Sequence, residues 1–304
     1  MPQDYRAQVF KAIDYISQNL CFNPTLEEIA SAVALSSFHF HRIFKAEVGE
    51  TIAGFTRRLR MEKAAMWLIE SPRRDITGLA LRVGFSSSQN FAKAFRQHFS
   101  VSPGEYRRLH AASVKSKPGN VTGEKSAYSQ TEAMKVVRAD PDFLAAGVLS
   151  LPARRVAYMR RFGPYGKETC WLTHHDLAAS FPCGTPRQPA GMVCIYWDAP
   201  EVTLGSRCRT DVCIELSEGE RPGRGVAVQT IAGGSYAVCK FAVFGERLDA
   251  AWEIAFAWIK ARGLMKGDLP CYEKYYNETD VTLDYYVFDI FIPVKKHHKD
   301  NASQ

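Results

Sequence analysis

The chain has 304 residues, 46% hydrophobic and 23% charged, with a formal net charge of +7. This balance excludes a chain disordered throughout and is enough for two domains with cores of their own. No apolar run approaches a membrane span, and Met1-Pro2-Gln3-Asp4-Tyr5 leads into an amphipathic stretch without an apolar signal core, so a cytoplasmic protein with no membrane partner is expected.

In chain order, residues 5–110 read as seven helices. Val9, Ile13 and Ile16 form the apolar stripe of the first, and Asn23-Pro24-Thr25 then stops the chain and caps a second helix carrying Leu26 and Ile29. Ser36 or Ser37 caps the third, which Gly49 ends. A fourth, from Thr51 to Glu70, spans roughly 30 Å at 1.5 Å per residue. Asp75 caps the fifth, Gly84 turns the chain, Ser86 or Ser87 caps the sixth, and Ser102-Pro103 opens a seventh that ends near Arg108.

One pattern occurs twice in this stretch. Leu26, Ile29, Ala30 and Val33 precede a turn at Leu35-Ser36-Ser37, and Phe40, Arg42, Phe44 and Lys45 follow it. Ile76, Leu79, Ala80 and Val83 precede Gly84-Phe85-Ser86-Ser87 in the same way, and Phe91, Lys93, Phe95 and Arg96 follow. Each copy reads as a helix-turn-helix whose second helix ends at a Phe and a basic residue. Two such units in one chain let a monomer reach successive major grooves, whose spacing of ~34 Å the fourth helix nearly matches. The charge agrees with this: residues 1–110 hold 15 Lys and Arg against 10 Asp and Glu, and residues 134–304 hold 21 against 20.

From Ala111 to about Ala133 the composition turns to Ser, Lys, Gly, Thr and Glu, which reads as a linker. Its Gly119, Gly123, Lys125 and Ser126 have the wrong spacing for a phosphate loop. Residues 134–295 then read as strands mixed with two helices, and a second repeat appears. Val156 to Phe162-Gly163 is a strand followed by Trp171 on a helix, and Val238 to Phe244-Gly245 is a strand followed by Trp252 on a helix. Met192–Tyr196, Asp211–Leu216, Pro270–Tyr276 and Tyr285–Val294 supply further strands, and both helices are expected on one sheet. The fold class is therefore an all-α N-terminal domain with two helix-turn-helix motifs, followed by an α+β domain with a duplicated strand-helix unit. Residues 296–304 form a basic tail.

Ile76 through Arg107 resembles the signature of the AraC/XylS family of transcription regulators, with Ser100 in a place usually held by Gly. Residues from about 135 to 295 resemble a GyrI-like effector-binding domain, through Phe162-Gly163-Pro164-Tyr165, Tyr196-Trp197-Asp198-Ala199-Pro200, Arg209 to Cys213, Trp252 to Trp258, and Phe288 to Val294. The order, DNA-binding domain first, is the Rob-like arrangement. The resemblance implies promoter DNA and a small-molecule effector as partners, with RNA polymerase a further candidate, in a multidrug-sensing class of regulator.

By alignment with that family, Ser37, Phe38, His41, Arg42 and Lys45 of the first recognition helix face the major groove. Arg42 suits a bidentate contact to guanine, because its planar fork matches the O6 and N7 acceptors, and Phe38 suits a thymine methyl. Ser88, Gln89, Asn90 and Lys93 face DNA on the second helix, with Gln89 suited to adenine. In the C-terminal domain Tyr158, Phe162, Tyr165, Trp171, Tyr236 and Trp252 supply aromatic surface near a cleft between the halves. Glu273 and Asp289 are acids on otherwise apolar strands; family members commonly place Glu where Asp289 stands. Aromatic faces with a carboxylate suit an amphipathic cation.

No enzyme motif, cofactor or metal is expected. His174 and His175 are adjacent and point apart on a helix, and the eight cysteines include no C-x-x-C pair, so they read as free thiols. Two alternatives remain for the C-terminal domain: a surface for a protein partner such as RNA polymerase or a topoisomerase, and a small-molecule hydrolase using Glu273 or Asp289.

Overall fold

A computed structural model of the chain describes residues 5–70, 74–113, 137, 140–181, 191–223, 226–276 and 282–296. The expected linker from residue 114 onward, the start of the C-terminal domain at Met134 and the tail from 297 lie outside those residues. The chain divides into two compact units: Met1–Ser116 with Asp198–Arg207 and Gly223–Ala227, and the remainder.

The first unit carries α1 (Arg6–Gln18), α2 (Leu26–Ala32), α3 (Ser37–Val48), α4 (Ile52–Glu70), α5 (Ile76–Arg82), α6 (Ser88–Phe99) and α7 (Pro103–Ser113). Side-chain caps set the starts. Thr25 and Glu28 form a reciprocal capping box, and Ser36, Asp75 and Ser87 accept from His39 N, Gly78 N and Asn90 N. The two turns share one bond, from Leu35 N to Ala30 O in the first copy and from Phe85 N to Ala80 O in the second, both 3.0 Å. Gly49 ends the first recognition helix after Val48, as expected, and the second runs to Phe99 with Ser100 in the matching place. Phe40, Phe44, Phe91 and Phe95 anchor the middle of each helix in the core, all fully buried.

Each copy needs a left-handed residue at its turn and at the end of its recognition helix, and each has glycine at one of the two. Ala34 (φ 56°) and Gly84 (φ 83°) hold the turns; Gly49 (φ 79°) and Ser100 (φ 63°) hold the helix ends. Gly84 is constrained twice, since a Cβ there would lie 2.7 Å from Leu20 O and 3.1 Å from Arg60 Cζ. Arg60, on α4, donates from Nε to Leu20 O and from Nη2 to Asn23 Oδ1. The linking helix thus holds the end of α1 and the start of α2 against the turn of the second copy.

The second unit is built on β1 (Phe143–Leu151), β2 (Arg154–Phe162), β3 (Val193–Tyr196), β4 (Arg209–Glu215), β5 (Ala227–Ile231), β6 (Gly234–Phe244), β7 (Leu264–Lys266), β8 (Cys271–Tyr275) and β9 (Tyr285–Lys296), with α8 (Lys167–Ala179) and α9 (Leu248–Ala261). The sheet order is β1-β6-β9-β8-β3-β4-β2-β5, with β7 beside β9. The duplication is visible in that order. β2-α8-β3-β4 and β6-α9-β8-β9 occupy mirrored halves, which meet where β3 pairs antiparallel with β8.

Register assigns the faces. Cys194, Glu273, Ile290 and Cys239 form one row across β3, β8, β9 and β6, on the side where α8 and α9 pack. Lys274, Asp289 and Lys240 form the neighbouring row, and side chains one residue apart on a strand point to opposite faces. That other face holds Arg160 and Asp211, paired in register on β2 and β4 with both side chains fully buried. Asp211 also accepts from Trp197 Nε1 at 2.7 Å and Gln229 Nε2 at 2.8 Å, so the buried charges are mutually compensated.

Candidate DNA interface and effector site

On α3, Phe38 is 82% exposed, and His41, Arg42 and Lys45 are exposed with it at spacings of three and four residues. They form one exposed stripe opposite buried Phe40 and Phe44. Ser37 lies half-buried at the helix start. On α6, Gln89, Asn90 and Lys93 are exposed and Ser88 is half-buried, opposite Phe91 and Phe95. Asn90 Nδ2 also donates to Ser86 Oγ at 3.5 Å, which turns it partly back onto its own turn. The two stripes are unequal: Phe38, Arg42 and Lys45 have Gln89, Lys93 and Arg96 as their counterparts in the second copy. Arg96 is exposed, and the duplication itself is the signal that adds it to the sequence-derived set.

In the second unit the structure brings together Tyr165, Trp171, Trp252 and Glu273 from the sequence-derived set. Glu273 is 3% exposed at the seam between the halves. Its carboxylate accepts from Trp252 Nε1 at 2.6 Å, Tyr196 Oη at 2.6 Å and Tyr275 Oη at 2.8 Å. Around these donors the rings run in edge-on contact, Tyr165 to Tyr196 at 4.8 Å, Tyr196 to Trp252 at 5.8 Å and Trp171 to Tyr275 at 5.6 Å. Trp171, Tyr196 and Trp252 are only half-buried. The result is a buried acid beneath a partly exposed aromatic rim. Burial raises the Glu273 carboxyl above its ordinary pKa, and the three donors pull it back.

Tyr158, Phe162, Tyr236 and Asp289 lie elsewhere. All four project from the opposite face, because their register partners are Cys213, Arg209, Pro293 and Lys240. Tyr158 and Tyr236 are buried there, with Tyr236 Oη donating to Ala232 O. Asp289 accepts from Tyr276 Oη at 2.5 Å. The expected single cleft holding both acids is therefore two separate environments.

A family profile described as Helix-turn-helix domain matches residues 29–109, and one described as GyrI-like small molecule binding domain matches residues 148–295. Multiple antibiotic resistance protein MarA of Escherichia coli strain K12 is 33% identical over 99 residues, covering 33% of this chain and 77% of MarA. The chain belongs to the AraC/XylS family. The uncharacterized HTH-type transcriptional regulator YbfP of Bacillus subtilis is 36% identical over 103 residues, covering 34% of this chain and 35% of YbfP. The chain spans 35% of the length of each of the first two curated relatives it matches. A transcriptional regulator structure from Chromobacterium violaceum, described as AraC-type, aligns at 27% identity over 34% of this chain and 92% of that one, with a TM-score of 0.33.

Within this AraC/XylS chain the sequence-derived effector set lacks Tyr196 and Tyr275. Tyr275 carries a legible signal, since it stands two residues from Glu273 and must share its face. Tyr196 comes from the other half of the duplication and is placed by strand register alone. Among the described residues no group of three or more His, Cys, Asp or Glu is arranged to hold a metal, and no helix is long and apolar enough to cross a membrane.

Proposed function

We infer that the chain is a transcription regulator that binds double-stranded promoter DNA through both helix-turn-helix copies and senses a small amphipathic cation at Glu273. The division is residues 1–110 for DNA, 111–133 as linker and 134–295 for the effector. The observation that carries the sensing half is a buried carboxylate ringed by indole and phenol donors beneath a half-exposed aromatic rim. A cation entering between Trp252 and Tyr196 exchanges neutral donors for a charge partner and gains the aromatic faces. In this reading the protein works in the cytoplasm and catalyses no reaction.

A second reading gives the second unit a protein partner such as RNA polymerase. What favours it is that Glu273 already accepts three hydrogen bonds from its own chain. The deciding experiment uses the full chain bound to DNA selected from a random library, titrated with tetraphenylphosphonium and with neutral triphenylmethane. Saturable binding of the cation that changes DNA affinity supports sensing; binding of neither compound removes it.

A further inference from the structure

The first unit contains a cleft of about 410 Å³ that base reading leaves unexplained. It lies among α2, α3, the first half of α4 and the turn of the second copy. Ile29, Ile52 and Phe85 supply an apolar wall, and His41, Arg57 and Arg60 a polar one. Neither Asp nor Glu is among its lining residues.

Arg60 is the unusual member. It is 8% exposed, and its hydrogen bonds go to Leu20 O and Asn23 Oδ1, both neutral acceptors. Arg58, two residues earlier on the same helix and 4% exposed, pairs with Glu50 and Glu62. The contrast shows in their protonation. Burial pulls Arg60 below the ordinary arginine value; burial also lowers Arg58, but its two carboxylates outweigh that and raise it. Arg60 is thus a buried cation whose charge no carboxylate compensates among the described residues, and it borders a cleft that also holds Arg57.

We propose that this cleft is a binding site for a small carboxylate carrying an apolar body, a second ligand site located on the DNA-binding unit itself. An anion there compensates the buried guanidinium at low local dielectric, where a charge-assisted hydrogen bond is strong. A DNA backbone phosphate would satisfy the cations but leave the wall of Ile29, Ile52 and Phe85 unused. A volume of this size falls in the range of small-molecule pockets, and a carboxylate with an aryl body uses both walls. His41 belongs both to the cleft and to the exposed stripe of α3. An occupant therefore touches the first reader directly, and DNA affinity should change when the site fills.

The test uses the full chain and three matched probes: 2-naphthoate, the neutral 2-naphthylmethanol and the cation 2-naphthylmethylammonium. The expected result is saturable binding of 2-naphthoate at one site, with the alcohol weaker by about tenfold or more, as loss of a charged hydrogen bond implies. Arg57→Gln should weaken 2-naphthoate. Arg60→Lys, which keeps the charge if Arg60→Gln fails to fold, should weaken it less than Arg57→Gln combined with Arg60→Lys. Glu273→Gln should leave it unchanged, which separates this site from the effector site of the second unit. The proposal is overturned if 2-naphthoate does not bind saturably, if the alcohol binds equally well, or if Glu273→Gln abolishes binding. It is also overturned if Arg57→Gln lowers DNA affinity while 2-naphthoate binds nowhere, which assigns the cleft to a DNA phosphate.

Discussion

Glu273 and Asp289 sit on neighbouring strands, yet their side chains leave opposite faces of the sheet: Glu273 pairs in register with Ile290, and Asp289 with Lys274. One acid lies beneath the two helices among indole and phenol donors, and the other lies on the far face with Tyr276.

The two acids should therefore separate in one experiment. A lipophilic cation at 100 times its dissociation constant adds about 2.7 kcal/mol, or roughly 5 to 10 °C for a unit of this size. Glu273→Gln should abolish that shift and Asp289→Asn should retain it. Thermal unfolding of the two variants with tetraphenylphosphonium gives the comparison, and equal losses would place the ligand elsewhere.

Glu273 also predicts a pH dependence. Its folded pKa is raised chiefly by burial, so the folded state holds this proton more tightly than the unfolded chain, whose carboxyl titrates near 4.3. Its contribution to stability is full below that value and is lost as pH rises through the raised folded value. Glu273→Gln removes the titration, so the stability of the variant relative to the parent should rise across that window. Denaturant unfolding at a series of pH values measures the slope, and a slope of opposite sign would mean the donors outweigh burial.

Each helix-turn-helix copy carries one residue in a conformation that favours glycine, Ala34 in the first and Ser100 in the second. A side chain in the left-handed region costs on the order of 1 kcal/mol. Ala34→Gly and Ser100→Gly should each stabilise the chain by about 0.5 to 1 kcal/mol, partly offset by unfolded-state entropy. Chemical denaturation reads the change; destabilisation by either would show that the side chain makes compensating contacts.

The helical half was largely legible because its signals are local. Thr25, Asp75 and Ser87 cap helices where expected, and Phe40, Phe44, Phe91 and Phe95 are core. The sheet was legible where apolar runs are long, as at Tyr285 to Val294. β1 was missed because Ala145, Ala146 and Gly147 give it no apolar alternation, and β7 because it has three residues. The separation of Glu273 from Asp289 was not legible, since the facing of two strands depends on their register rather than on either strand's own pattern.

Arg160 and Asp211 form a fully buried pair, and Asp211 receives four hydrogen bonds from Arg160, Trp197 and Gln229. Asp211→Ala leaves the guanidinium buried without its carboxylate and should cost about 3 to 5 kcal/mol. Urea unfolding measures this loss, and a cost below 1 kcal/mol would mean that water reaches the site.

In the proposed function one chain reads two successive major grooves. α4, at 19 residues and about 28 Å long, joins the copies, and Arg60 with Gly84 fixes the second turn against the first copy. Hydroxyl-radical footprinting of the full chain on its selected DNA, with the stoichiometry measured in parallel, is the most direct test. One chain per site is expected, with protection centred on two successive major grooves of one DNA face about 10 bp apart. Arg42→Ala should weaken the first groove alone, costing about 1 to 3 kcal/mol. Protection of a single groove by one chain, or a symmetric footprint requiring two chains, would contradict it.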